Sequence, residues 1–145
     1  MPNGNLHEWL HSSDDKARFL DFPLRVKIAV GVAKALAWLH HVHVVHKPNN
    51  IDSLDFTTYK KDVYRFGVVL LELLTRKESY QFGYLSPNIS SSSFASPLDV
   101  DELLLGQGFD DMVMQLLELA SNCIKFIPDQ RPIMQQVYQT VAAIA

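Results

Sequence analysis

The 145-residue chain has one cysteine, six glycines and no long uninterrupted apolar run. A lone Cys123 rules out an internal disulfide, so nothing in the sequence argues for an oxidising compartment. The glycines never form a phosphate-cradling G-x-G-x-x-G, and the nearest approach, Gly106-Gln107-Gly108, reads as a turn. The longest apolar stretch, residues 66–74 with Glu72 inside it, is too short to span a bilayer. A net charge of -3 offers no general attraction to nucleic acid or anionic lipid. The opening "MPNGNLHEWL" lacks a basic segment followed by an apolar one, so no secretory leader is expected. A cytoplasmic location is therefore expected, and Asn88-Ile89-Ser90 is expected to match the glycosylation sequon by chance.

What the chain does have is a globular balance, 48% apolar against 20% charged residues. It reads as helices separated by loops, a mainly all-α domain with at most a short β segment near 44–57. Leu6, Trp9 and Leu10 mark a short amphipathic turn or two. Asp21 is placed to cap the next helix and Pro23 is tolerated in its first turn. Within that helix, 24–43, Leu24, Ile28, Val32, Leu36 and Leu39 form one apolar stripe. Val26, Ala29, Ala33 and Ala37 form a second, so the helix is expected to be wedged between neighbours.

A second buried helix, 62–77, should form the centre of the fold. Asp62 stands at its start as a cap, and Val63, Phe66, Leu70, Leu73 and Leu74 share one face. Residues 86–97, rich in serine, read as a solvated loop open to modification by another enzyme. Two closing helices follow within 109–145. Val113, Leu116, Leu117, Ala120 and Ile124 face inward from one, and Met134, Val137, Val141 and Ile144 from the other. Cys123 among them is expected to be a buried, inert thiol, and Met112, Met114 and Met134 to be core or near-core filler rather than a recognition surface. His40, His41, His43 and His46 are expected to be solvated or dipole-stabilised rather than a zinc site, because the first two leave the helix in different directions.

These elements, in this order, resemble the C-terminal lobe of a eukaryotic protein kinase, most closely that of plant leucine-rich-repeat receptor-like serine/threonine kinases. "RVKIAVGVAKALAWLHH" is similar to the long helix before the catalytic loop. "KKDVYRFGVVLLELLTRK" is similar to the central helix that opens with D-V-Y/W-S-F-G. "ASNCIKFIPDQRPIMQQVYQTV" resembles the closing helices with their arginine-proline step. The likeness covers nearly the whole chain, 1–145 reading as a truncated C-lobe: 1–23 as hinge and first helix, 24–43 as the long helix, 44–61 as a deleted catalytic and activation region. Residues 62–77 then correspond to the central helix, 86–108 to the serine-rich loop and 109–145 to the closing helices.

The resemblance also marks what the chain departs from. The pattern H-R-D-L-K-P-x-N fits His46-Lys47-Pro48-Asn49-Asn50 only with R-D-L absent. His46 and Lys47 then match catalytic-loop remnants, Asn50 matches a metal-holding asparagine, and the aspartate that accepts the substrate proton has no counterpart. Asp55-Phe56-Thr57 echoes the metal-binding D-F-G, but a β-branched threonine replaces the glycine and the spacing from Asn50 is short.

The resemblance implies that Asp62 has lost the catalytic loop it would brace. Arg131 has lost its glutamate partner, and is expected either to re-pair with Glu72, Glu78 or Asp129 or to be exposed. Arg65 stands where a small residue is usual and should strain the packing, while Arg76 replaces a helix-stopping glycine. The expected function is therefore a catalytically silent kinase-type domain acting only through a protein partner, such as a kinase or receptor complex, with no cofactor. The alternatives are a serine/threonine kinase using ATP and Mg²⁺ once completed by an N-lobe, and the product of a degraded gene.

Overall fold

The structure, a computed structural model, describes residues 2–46, 53–78 and 100–145. Lys47, Asn50, Asn88 and the serine-rich stretch 86–97 lie outside the described residues. Helices α1 (Leu6–His11) and α2 (Asp14–Phe19) begin at side-chain caps. Asn5 Oδ1 accepts the Glu8 amide at 3.0 Å and Ser13 Oγ the Lys16 amide at 3.3 Å. Sequence reasoning merged the first of these with its flanks and missed the second. Asp21 caps α3 (Phe22–His46), accepting the Leu24 amide at 3.0 Å, with Pro23 in the first turn as its fixed φ requires.

The central helix α4 (Ser53–Thr75) begins well before Asp62, so that residue sits inside the helix and cannot cap it. No strand occurs among the described residues, and 44–46 and 53–57, where a short strand was allowed, are helical. With α3 ending at His46 and α4 starting at Ser53, the two long helices are joined by residues 47–52 alone. A 3-10 turn (Glu102–Leu104), α5 (Asp110–Cys123), a second 3-10 turn (Pro128–Gln130) and α6 (Met134–Ile144) complete the order. Gly106 and Gly108 take positive φ, 75° and 86°, in the turn between the first 3-10 element and α5.

The core lies where α4 meets α5 and α3 meets α6. Phe66, Leu70, Leu73 and Leu74 of α4 are buried with Leu116, Leu117 and Ala120 of α5 and Val137 and Val141 of α6. At Gly67 the helices come so close that an added Cβ would lie 2.7 Å from both Cys123 Cβ and Ile124 Cγ2. Cys123 itself is fully buried, and burial pushes its thiol up to about 12. It therefore stays protonated and unreactive at neutral pH.

The long helix α3 departs from expectation. Its small-residue stripe, Val26, Ala29, Ala33 and Ala37, is buried, whereas Leu24, Val32, Trp38 and Leu39 are exposed. The helix is thus covered on one face and open on the other among the described residues. By length and composition α3 is also apolar enough to cross a membrane, with a hydropathy of 1.4, a property the short run 66–74 does not have. Met134 is buried and Met112 packs partly buried against the core as expected, but Met114 is 43% exposed.

Candidate functional site

The resemblance directs attention to the joint between α3 and α4, where two pairs of side chains cross. His40 Nε2 meets Asp62 Oδ2 at 3.0 Å, and His43 Nδ1 hydrogen-bonds the Tyr59 hydroxyl. Moving outward along α3 from 40 to 43 matches moving back along α4 from 62 to 59, so the helices run antiparallel here. An ionised carboxylate only accepts, so His40 carries its hydrogen on Nε2 toward Asp62. The Tyr59 ring also lies against His40, with centroids 4.4 Å apart. Burial, then the charge of Asp55, holds the Tyr59 hydroxyl above its ordinary range, which keeps it protonated. Asp62 has therefore exchanged its expected capping role for a bond to the preceding long helix.

One turn away, Lys60 and Arg131 bind each other's backbone. Lys60 Nζ donates to the Arg131 carbonyl at 2.6 Å, and Arg131 Nη1 donates to the Lys60 carbonyl at 2.9 Å. Arg131 also donates from Nε to Lys125 O at 2.7 Å, and its guanidinium lies 4.9 Å from the Tyr64 ring. It is neither paired with Glu72, Glu78 or Asp129 nor fully exposed. Carbonyls and an aromatic face replace the carboxylate, because a planar guanidinium has five donors and stacks well. Desolvation draws both Lys60 and Arg131 below their ordinary values.

An apolar cleft of about 350 Å³ opens beside this joint, lined in part by Ala37, His40, Val44, Phe56, Val63 and Met134. Asp55 does not line it; it stands in the first turn of α4, where its carboxylate suits the helix's positive end. His46 ends α3 in an exposed position. The structure thus brings Asp62 and Arg131 to one joint through neighbours, and holds Asp55 and His46 on the two helix ends that flank residues 47–52. Arg65, expected to strain the packing, has a side chain 77% exposed and reaches Asp62 only at 3.9 Å. What the joint can do chemically is hold protons in place. His40, His43, Tyr59, Lys60, Asp62 and Arg131 are each spent on another side chain or a carbonyl.

Two features escaped the sequence. Arg25 is 1% exposed and donates to Leu20 O, Leu73 O and Asp101 Oδ2, the last at 2.7 Å. Its position between Phe22, Val26 and Ala29 on the buried stripe was the available signal. His7 and His11, four residues apart on α1, converge with Glu72 of α4. That spacing was visible, but the partner on α4 was not.

The fold is a protein-kinase C-lobe-like helical domain. A solved pseudokinase domain of BIR2, described as an immune regulator of the RLK/Pelle family, superposes with a TM-score of 0.74 at 26% identity, covering 99% of this chain and 57% of that one. The chain is homologous over nearly its whole length to plant leucine-rich-repeat receptor-like kinases. One from Arabidopsis thaliana, whose name carries the expectation of inactivity, is 34% identical over 99% of this chain. The receptor-like kinase PEPR1 of the same plant is 32% identical over 93% of it. The chain spans only 34% and 18% of these two curated relatives. The first match runs over 212 positions in a chain of 145 residues, so that relative carries residues with no counterpart here. No protein-family model matches.

Proposed function

We propose that this chain is a catalytically silent kinase-type domain that acts by binding another protein, on the cytoplasmic side where a receptor's kinase domain would sit. The observation that carries this reading is the joint itself. Residues 47–52 are all that separates α3 from α4. Phosphoryl transfer needs a base beside the acceptor hydroxyl and a loop that holds metal between these elements. In sequence the segment lacks the R-D-L that carries the family's catalytic base, and its one aspartate, Asp52, comes after Asn50. Asp62, the residue that would brace a catalytic loop in the family, is bonded to His40 instead.

Two relatives support the reading at the level of the family, one named for expected inactivity and one a pseudokinase. A partner from a receptor complex fits that company. The test is phosphotransfer from Mg-ATP to a generic protein substrate and to the chain itself, with and without a supplied N-lobe. No turnover, and no thermal shift with nucleotide, is the expected result. Turnover that disappears in Asn50→Ala would establish the active serine/threonine kinase reading in its place.

A further inference from the structure

We propose that His7, His11 and Glu72, with Glu78 in reach, form a site for a divalent transition-metal ion that ties α1 to the end of α4. The two histidines stand four residues apart and so share one face of α1, with ring centroids 4.6 Å apart. One nitrogen of each and a Glu72 carboxylate oxygen all lie within 4.8 Å of one another. Tetrahedral zinc places its ligands roughly 3.3–3.5 Å apart at nitrogen and oxygen distances of about 2.0–2.2 Å. Side-chain rotations of about an ångström therefore bring the three into register.

The state of His11 is the independent sign of a missing ligand. Its Nε2 is buried and has no hydrogen-bond partner among the described residues, and Glu72 Oε2 lies 3.6 Å away, too far for a hydrogen bond. A buried ring nitrogen near a carboxylate but without a hydrogen bond is the arrangement a metal ion would complete. Glu78 lies outside this trio, but its Oε1 is 3.7 Å from His7 Nε2, and swinging it inward supplies the fourth ligand. Two imidazoles and two carboxylates suit zinc over magnesium or calcium, which favour all-oxygen sites. Four protein ligands leave no open position, so the site is structural. Arg76, one turn beyond Glu72, is committed to Leu10 O and Asp14.

The test is titration of the full chain with Zn²⁺ against a chromophoric chelator, and with Co²⁺ followed by its visible absorption. One ion per chain with the intense bands of four-coordinate cobalt is expected. His7→Ala, at a position 61% exposed and so harmless to folding, should weaken binding more than ~tenfold and abolish the bands. Glu72→Gln should do the same, while His41→Gln/His46→Gln keeps both. No binding, a six-coordinate cobalt spectrum, or unchanged affinity in His7→Ala and Glu72→Gln overturns the site.

Discussion

Arg25 places a cation in the middle of a buried stripe, and it can do so because every direction it points offers an oxygen. Desolvation draws its guanidinium below the ordinary arginine range, and Asp101 is the carboxylate that opposes this loss. The opposing partner comes from the far side of the chain, so the pair also fixes residues 100–104 against α3 and α4. Removing one member of a buried pair leaves the other uncompensated. Asp101→Ala is therefore expected to cost about 3–5 kcal/mol in urea unfolding, shifting the midpoint without changing the slope. A loss below about 1 kcal/mol would mean that the carbonyls of Leu20 and Leu73 suffice alone. None of this was legible beforehand. Neither apolar stripe read from the sequence included residue 25, and its acid lies 76 positions away.

At the level of elements, most helices were legible from apolar spacing, because Phe66, Leu70 and Leu74 or Val137 and Val141 can only be buried together on a 3.6-residue period. Helix ends were less so. Asp62 looks like a cap, yet α4 starts nine residues earlier, at Ser53, because the helix continues through a stretch that side-chain pairs to α3 hold in place. Arg76 gives the opposite lesson. The helix stops there with φ 55°, the left-handed conformation a glycine would supply. Its side chain, bonded to Leu10 O at 2.8 Å and Asp14 at 3.0 Å, holds the residue there. Arg76→Ala keeps the backbone strain and loses the bonds, whereas Arg76→Gly loses only the bonds. The alanine variant should therefore be the less stable of the two by about 1 kcal/mol in paired thermal melts. Equal melting would show that the left-handed backbone carries no cost here.

Across the whole molecule, the open side of α3 is the least expected property. Trp38 and Leu39 are 62% and 53% exposed, on the side of the helix away from Ala33 and Ala37. An apolar helix with one face uncovered by the described residues invites association between chains. The chain is expected to self-associate as concentration rises, and Trp38→Glu/Leu39→Glu to reduce this in light scattering while leaving the unfolding midpoint within about 0.5 kcal/mol of the parent. Burial of the small-residue face was legible as one of two stripes. Which stripe meets α6 was not, because both have helical spacing and only close packing selects alanine over leucine. The short joint has a consequence for how the chain assembles. Closing a loop costs about 0.6 kcal/mol more for each doubling of its length, so helices linked by a handful of residues meet as near neighbours. Contacts such as His43 with Tyr59 become local ones, and domains rich in local contacts reach the native state sooner. The α3–α4 hairpin is thus cast as the first piece to form, a template on which the two C-terminal helices then dock.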